Sequence, residues 1–224
     1  TTAVGHGAIA ADGIDQYLPT VIDPAQIALR TLTLKAAPDA VAAGTLAQPT
    51  VLPGAVGTGE ASALHPHRGE ALVIDARQLP AGAVLQLDNA EFAIVIGSCT
   101  VVGGSGRNFV VGDAAAQTIV LGAEDDVLHG GGGNDYIGSK GGNDQLYGDA
   151  GNDLITADAS STAYGGAGDD TVSGNWNDTV HGGAGDDEMS VAYTSEGYGD
   201  DGNDVIHARG TAVAYGGAGD DAMS

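Results

Sequence analysis

The chain has 224 residues, of which 38 are glycine and only 4% are aromatic, so a core built from bulky side chains is not expected. Seven lysines and arginines stand against thirty aspartates and glutamates, which gives a formal net charge of -23. This charge argues against nucleic acid and anionic membrane surfaces as partners, because both require clustered basic residues. Self-repulsion of this size opposes a compact state and predicts that the protein binds cations.

Residues 1–70 are rich in alanine, threonine, proline and glycine, and we assign them to an N-terminal extension or linker with few strands. Within them, Asp23-Pro24 predicts the start of a short helix through Ala25–Arg30, because Asp accepts hydrogen bonds from N-terminal amides and Pro suits the first helical position. Arg30–Leu34 is a candidate strand. From Ala36 to Gly69 neither the helical nor the strand period is present, which predicts a loop.

Residues 71–102 contain four short runs rich in β-branched and apolar residues, each followed by turn residues. The runs cover 71–75, 84–87, 92–96 and 100–102, and their spacing approaches nine. We assign them to metal-free N-terminal turns of a solenoid, which would shield the first rung of the repeats that follow. Cys99 is the one cysteine, which excludes an internal disulfide and a CxxC-type zinc or redox site.

From Gly103 to Thr156 the sequence divides into nonapeptides without a shift of register. The six units read GGSGRNFVV, GDAAAQTIV, LGAEDDVLH, GGGGNDYIG, SKGGNDQLY and GDAGNDLIT. They follow the pattern G-G-x-G-x-D-x-U-x, in which six residues form a turn and three form a short strand whose apolar U residue points inward. The inward residues are predicted to include Leu128, Ile137, Leu146 and Ile155.

The residue types of the turn indicate which ion it binds. Glycines permit positive φ and let carbonyl oxygens converge, and the sixth-position Asp adds a charged oxygen. A set of hard oxygens favours Ca²⁺, because zinc and copper prefer His or Cys ligands and Mg²⁺ retains its water. One turn offers too few ligands. Two nonapeptides make one coil, so turns one coil apart stack about 4.8 Å from each other and can hold an ion between them.

After Thr156 the repeat becomes seventeen residues long and keeps the motif on one side only. Full motifs begin at residues 165, 182, 199 and 216, and the eight-residue segments between them lack it. Extended backward, this retained column also includes the turns that begin at 148 and 130, which gives six turns and five intervals for ions. Its sixth-position residues are Asp135, Asp153, Asp170, Asp187, Asp204 and Asp221.

The opposite edge is predicted to offer at most one calcium site. That site would lie between Asp126 and Asp144, whose turns LGAEDD and SKGGND are imperfect copies of the motif. Further upstream, Asn108 and Gln117 occupy the Asp position and remove its charge. Past Thr156 we therefore expect calcium along one edge only.

Because the motif recurs in register, residues 103–224 resemble the repeats-in-toxin family (RTX, the hemolysin-type calcium-binding nonapeptide repeat), which occurs in secreted toxins, proteases, adhesins and surface-layer proteins. The resemblance implies an all-β fold, a right-handed parallel β-roll or β-helix solenoid, here with an irregular N-terminal cap region that contains strands. It also implies that the carbonyls of the first and third turn residues face one ion and those of the second and fourth face the next, with the Asp shared. The first role then falls to Gly130, Gly132, Gly148, Ala150, Gly165, Ala167, Gly182, Ala184, Gly199, Asp201, Gly216 and Ala218. The second falls to Gly131, Gly133, Asp149, Gly151, Gly166, Gly168, Gly183, Gly185, Asp200, Gly202, Gly217 and Gly219.

Catalysis is not expected. The paired acids at 169–170, 186–187 and 220–221 recur at fixed intervals, which predicts equivalent ligands and not one acid and one base. His129, His181 and His207 occupy strand ends without a nucleophile motif such as GxSxG, which favours a structural or solvent-facing role. Tyrosines at 164, 198 and 215 recur every seventeen residues once the gap at His181 is allowed, which favours stacking between coils over a carbohydrate platform.

These features favour an extracellular calcium-binding structural protein, such as a surface-layer, matrix, adhesin or self-assembling filament subunit, whose folding and assembly depend on Ca²⁺. The alternative is a non-catalytic C-terminal module of a larger secreted enzyme or toxin that folds and supports export when calcium is present. The chain stops at Ser224, one strand after the turn containing Asp221, so we expect either a truncated chain or completion of the last half-site by head-to-tail association. No run of about 18 apolar residues is present, and a membrane span is not expected.

Overall fold

In the computed structural model the described residues are 28–33, 50–51, 70–80, 82–87, 92–104 and 106–224. All regular structure in these ranges is β, and the strands alternate along the chain between two parallel sheets of ten strands each. Neighbours in each sheet are two strands apart in sequence, so the chain winds as a solenoid and the predicted all-β parallel solenoid is confirmed. Within the described ranges no helix is long and apolar enough to cross a membrane.

Each coil contributes one strand to each sheet. The first sheet contains β1 (Ala28–Thr33), β3 (Glu70–Asp75), β5 (Phe92–Ile96), β7 (Phe109–Val111), β9 (Val127–Gly132), β11 (Gln145–Ala150), β13 (Thr162–Ala167), β15 (Thr179–Ala184), β17 (Glu196–Asp201) and β19 (Val213–Ala218). The second sheet contains β2 (Thr50–Val51), β4 (Val84–Leu87), β6 (Thr100–Gly103), β8 (Thr118–Val120), β10 (Tyr136–Gly138), β12 (Leu154–Thr156), β14 (Thr171–Gly174), β16 (Glu188–Tyr193), β18 (Val205–Gly210) and β20 (Ala222–Met223).

The core is a narrow column of inward side chains stacked from coil to coil. Leu146, for example, lies beside Leu128 on one side and Ala163 on the other. The four inward residues predicted from the nonapeptide pattern are all fully buried, which confirms that part of the register. In β17 the inward position is Gly197, where an added Cβ would lie 2.8 Å from Cγ1 of Val191, so a side chain of the preceding strand fills that space. With so few apolar atoms per coil, the turns must supply a large part of the stabilisation.

The N-terminal predictions have mixed outcomes. The helix predicted over Ala25–Arg30 is wrong where the structure describes it, because residues 28–33 form β1 and pair in parallel with β3. Pairing with a strand more than thirty residues away overrides the local start signal, and Asp23-Pro24 itself lies outside the described residues. The candidate strand at 30–34 overlaps β1, and β2 falls inside the predicted loop, the remainder of which is not among the described residues. The four strands predicted in 71–102 are present, as β3 to β6.

Candidate metal centre

The sixth-position aspartates of the retained column form a hydrogen-bonded ladder. In each turn the Oδ1 atom accepts a hydrogen bond from the backbone amide of the equivalent residue one coil earlier. The distances are 2.7 Å from Asp135 N to Asp153 Oδ1 and 2.7 Å from Asp170 N to Asp187 Oδ1, and they rise to 3.0 Å from Asp204 N to Asp221 Oδ1. One oxygen of each carboxylate is thereby held by a hydrogen bond to the backbone of the preceding coil.

The other carboxylate oxygen, Oδ2, has no hydrogen-bond partner and is buried. This applies to Asp135, Asp153, Asp170, Asp187 and Asp204. An unpaired charged oxygen is costly to bury, and proteins normally provide such a group with a donor, a cation or a proton. The retained column therefore contains five buried carboxylate oxygens that a cation could neutralise.

Burial sets the protonation of these groups in the absence of an ion. It raises the pKa of Asp135 and of Asp170 to about 7, and that of Asp187 to about 6, with further upward pressure from neighbouring carboxylates. The same cause raises the pKa of Asp153 and of Asp204. At neutral pH the metal-free column thus holds partly protonated acids, which a bound cation would ionise.

A cradle of oxygens lies beside the first residue of each turn. A Cβ added at Gly130 would lie 2.5 Å from Oδ2 of Asp135 and 2.8 Å from the carbonyl oxygen of Gly148 in the next coil. The same pairing of a sixth-position Oδ2 with the next first-position carbonyl recurs at Gly148, Gly165, Gly182 and Gly199. Carboxylate and carbonyl oxygens are the ligands that Ca²⁺ prefers, so the residues present fit this ion.

The carbonyls of the second and fourth turn positions face the following coil. A Cβ at Gly166 would collide with the carbonyl oxygen of Asp149, and one at Gly168 with that of Gly151. Both glycines have left-handed backbones, with φ of 120° and 131°, which side chains rarely adopt. The carbonyl oxygens of Asp149 and Gly151 therefore point along the column toward the following coil.

Comparison with known families bears on the same residues. A family model described as the RTX calcium-binding nonapeptide repeat (four copies) matches residues 111–146, 139–161, 158–176, 177–190 and 198–212. RTX calcium-binding nonapeptide repeats are thus found in several copies across residues 111–212. The expected family is thereby confirmed, and its repeats make the protein a calcium-binding structural repeat protein. No curated protein and no solved structure gives a significant match to the chain.

Two predicted RTX ligands have side chains that turn away from the cradle. Asp149 and Asp200 occupy second turn positions with φ of 73° and 74°, where the other turns of the column have glycine. Their carboxylates bond to histidines, at 3.1 Å from Asp149 Oδ2 to His129 Nδ1 and 2.9 Å from Asp200 Oδ2 to His181 Nδ1. Only their backbone carbonyls are therefore placed to serve an ion.

From Asp144 to Ser195 the opposite edge of the RTX solenoid closes the same backbone ladder with no unpaired side-chain oxygen. Asp178 accepts the amide of Ser161 at 2.9 Å with Oδ1 and the amide of Asn175 at 2.6 Å with Oδ2. Its own amide donates to the hydroxyl of Ser195 at 3.1 Å. Serine hydroxyls thus alternate with carboxylates along this edge. The sequence analysis missed this ladder because the eight-residue segments do not match the RTX motif.

The two carboxylates predicted as calcium ligands on the opposite edge have different hydrogen-bond partners. Oδ2 of Asp126 is buried and unpaired, and burial raises its pKa to about 6. Oδ2 of Asp144, in contrast, accepts the hydroxyl of Ser139 at 2.5 Å and lies 3.3 Å from the hydroxyl oxygen of Ser161. The first turn positions here are Leu121 and Ser139, so the cradle formed by a first-position glycine is missing.

Upstream of the RTX turns the retained column continues with other residue types. Gln117 takes the sixth position, and its Nε2 donates to Oδ1 of Asp113. One coil earlier the equivalent residue is Cys99, whose carbonyl accepts the amide of Thr118 just as that of Gln117 accepts the amide of Tyr136. Burial raises the pKa of the Cys99 thiol to about 11, consistent with a small buried residue.

The acids at the fifth turn position are exposed, and their side chains accept hydrogen bonds from the backbone of the next coil. Oδ1 of Asp169 accepts the amide of Asp186 at 3.0 Å, and Oδ1 of Asp186 accepts the amide of Asn203 at 2.9 Å. These bonds run in the opposite direction to those of the sixth position, from the later coil to the earlier. The paired acids of each turn are therefore two parallel ladders, which agrees with equivalent roles and not with a catalytic pair.

An aromatic ladder runs along the outer face of the first sheet. It consists of Phe92, Phe109, His129, Tyr147, Tyr164, His181, Tyr198 and Tyr215. From His129 onward the ring centroids lie 4.4–5.0 Å apart with nearly parallel planes. Stacking between coils was predicted for the tyrosines and is confirmed, and two of the three histidines are members of the same stack. The inner rings of this ladder contact each other through their faces, and Tyr215 is the exposed ring at its end.

Proposed function

We propose that this chain is an extracellular structural protein whose retained column binds five calcium ions, one in each interval between the turns that begin at 130 and 216. The observation that supports this is the match between five intervals and five buried, unpaired Oδ2 atoms, each beside a carbonyl of the next coil. Bound calcium would supply the positive charge that these oxygens lack. The ligands would be the sixth-position carboxylates and the carbonyls of the four leading residues of each turn.

Weak sites of this kind suit the cell exterior. Calcium modules outside the cell work at dissociation constants on the order of 10⁻⁴ to 10⁻³ M, so they stay empty at the low calcium of the cytoplasm. The coils would remain unfolded until secretion, since empty turns would bury partly charged acids. We therefore place the protein in a surface layer, matrix, adhesin or filament, with a structural role and no catalysis.

The ion between Asp126 and Asp144 would be the weakest. Calcium there would have to displace the hydroxyl contacts of Ser139 and Ser161 from Oδ2 of Asp144, and it would find only one unpaired carboxylate. When the protein is titrated with calcium to saturation, we expect this site on the opposite edge to fill after the five sites of the retained column.

A calcium titration followed by far-ultraviolet circular dichroism tests the proposal. Starting from protein in chelator, the β signal is expected to rise cooperatively at millimolar Ca²⁺ and to respond weakly to the same concentration of Mg²⁺, which keeps its water shell. A signal unchanged by calcium would refute the ion-filled column. Full folding by magnesium alone would contradict the choice of ion.

Head-to-tail self-association is part of the proposal, because every strand already pairs in parallel with an equivalent strand of the next coil. The same pairing between two chains would extend the sheets without closing, as open heterologous contacts do. Electron microscopy in calcium and in chelator tests it, with calcium-dependent filaments as the expected result. Monodisperse monomers in both conditions would overturn it.

The same five buried, unpaired carboxylate oxygens also favour a second candidate, a calcium-triggered folding and export module of a larger secreted enzyme or toxin. It shares the prediction of calcium-dependent folding, so circular dichroism does not separate the two. A catalytic domain encoded upstream in the same gene would favour the module, and calcium-dependent filaments of this chain would favour the structural subunit.

A further inference from the structure

The opposite edge presents a pair of stacked aromatic rings to solvent. Trp176 lies in the turn after β14, and Tyr193 ends β16 one coil later. Their ring centroids are 3.8 Å apart with an interplanar angle of 7°, and the two residues are 52% and 47% exposed. This pair lies on the edge where no calcium turn is retained.

The stack ends after two rings, unlike the aromatic ladder of the first sheet. Tyr193 pairs in register with Gly210 of the next coil, which has no side chain. Seventeen residues before Trp176, the equivalent position holds Ala159. Among the described residues no further ring therefore stacks on the outer face of Trp176 or of Tyr193, and the equivalent position beyond each is a small residue.

The backbone at the pair is left-handed, and turns of neighbouring coils on this edge share that conformation. Tyr193 and Asn177 have φ of 58° and 57°, and the positions equivalent to Tyr193 in other coils, Ala159 and Gly210, have φ of 45° and 74°. The turns are held by hydrogen bonds, at 3.2 Å from Asn177 N to Thr194 Oγ1 and 2.6 Å from Thr211 Oγ1 to the Tyr193 carbonyl oxygen. The left-handed backbone is therefore a feature of this edge, and the two exposed rings are what distinguishes these two coils.

A lone cation lies next to the pair. Arg209 is the only lysine or arginine among residues 141–224, a segment rich in aspartate. It pairs in register with Ala192, the residue before Tyr193, on the neighbouring strand of the second sheet. Arg209 is exposed, and its guanidinium has no side-chain hydrogen bond or ion pair with any of the described residues. An exposed guanidinium one strand away from the residue before Tyr193 is suited to pair with an anionic ligand.

We propose that Trp176, Tyr193 and Arg209 form a binding site for an acidic saccharide. The C–H face of a pyranose ring packs on an open aromatic face, and the carboxylate of the sugar accepts hydrogen bonds from Arg209. The apolar faces supply contact area, and the guanidinium selects for charge. The site is separate from the calcium column, so its existence does not depend on how many ions the column binds.

Trp176 is the only tryptophan of the chain, so its fluorescence reports directly on this site. The calcium-loaded chain is titrated with a hexasaccharide of alternating glucuronate and N-acetylglucosamine, and in parallel with the neutral hexamer of N-acetylglucosamine. We expect a saturable change in emission with the acidic probe and little with the neutral one. Binding should weaken about tenfold or more in Arg209→Gln and in Tyr193→Ala.

Tyr136→Ala provides the matched control, because Tyr136 is a similarly exposed tyrosine, at 41%, on the outer face of the second sheet. Its affinity for the acidic probe should equal that of the unaltered chain, and circular dichroism checks that each variant is folded. Three results would overturn the proposal: no saturable change at millimolar probe, equal affinity for the neutral hexamer, or unchanged affinity in folded Arg209→Gln.

Discussion

At the retained column and at the opposite edge, the same turn position closes the same ladder, in which a side-chain oxygen accepts the amide of the preceding coil. The edges differ in the second oxygen. Oδ2 of Asp170 is buried without a partner, whereas Oδ2 of Asp178 accepts the amide of Asn175. They differ also in the first turn residue, which is glycine throughout the retained column and leaves room for an ion. The retained column therefore needs a cation to satisfy its carboxylates, whereas the opposite edge satisfies its own carboxylates from Asp144 onward.

This difference explains how a solenoid with so narrow a core can respond to calcium. Coils that were satisfied on both edges would fold without an ion, and coils with two calcium columns would carry twice the buried charge. With one edge of each kind, serine hydroxyls and backbone amides would hold the register, and under the proposed function bound calcium would complete the other edge of the coil.

Removing calcium should have the largest effect, because it should destabilise the calcium-binding coils and leave the N-terminal coils folded. In chelator we expect residues 130–221 to lose amide protection, because five carboxylates lose their counter-ion. Residues 92–121 should keep theirs, since Gln117 and Cys99 occupy the sixth positions there and buried apolar residues such as Ile94 and Ile119 fill the core. Hydrogen exchange measured by mass spectrometry checks this, and equal protection of the two regions in chelator would contradict it.

Mild acid should partly replace calcium. In the metal-free fold the pKa of Asp135 and of Asp170 is about 7, far above the value of 3.8 expected in the unfolded chain. Between pH 4 and pH 7 the folded coils therefore bind more protons than the unfolded chain, so their stability falls as pH rises and is gained as pH falls.

In chelator, lowering the pH from about 7 to about 5 is thus expected to raise the β signal measured by circular dichroism. In saturating calcium the same change should weaken ion binding, because protons compete for the same oxygens. A metal-free chain that loses β structure on this acidification would show that the carboxylates are not the groups that oppose folding.

The nonapeptide register predicted much of this architecture, because a fixed period determines which side chains face inward. Leu128 and Ile137 were placed in the core by counting alone. Counting could not show which carboxylate oxygen lacks a partner, since that depends on hydroxyls such as Ser161 from the next coil. The helix over Ala25–Arg30 failed for a related reason: strand pairing between β1 and β3 is not visible in a local capping signal.

Part of what was missed did leave a signal in the sequence. The aromatic ladder was seen only as three tyrosines, but Tyr147, His181 and their neighbours follow the same spacing once histidine is counted as a ring. The serines of the opposite edge also recur with the coil, at 161 and 195. A search by coil position instead of by motif would have found these ladders, whereas the Trp176–Tyr193 stack also required the register of the turns.

Filling one cradle should remove one ion. In Gly165→Ala the new Cβ meets the carbonyl oxygen of Gly182 and Oδ2 of Asp170, so we expect one fewer bound calcium and a stability loss in calcium of about 1–3 kcal/mol. Gly138→Ala is the control, because its Cβ would find only the Thr156 carbonyl oxygen, at 3.7 Å. Native mass spectrometry counts the ions, and an unchanged count in Gly165→Ala would contradict the cradle.

The finest test of the two edges is the same substitution made on each. Asp170→Asn keeps an oxygen for the amide ladder but removes charge from the retained column, so the calcium midpoint should rise about tenfold while stability in chelator is unchanged or improved. Asp178→Asn replaces one of the two acceptor oxygens by an NH₂ group, so either the amide of Asn175 or the amide of Ser161 loses its acceptor. The free energy of unfolding should fall by about 1–3 kcal/mol at any calcium concentration. Thermal unfolding at several calcium concentrations separates the two. If Asp178→Asn shifted the calcium midpoint as much as Asp170→Asn, the opposite edge would be a calcium edge after all, and the asymmetry argued from Oδ2 would be wrong.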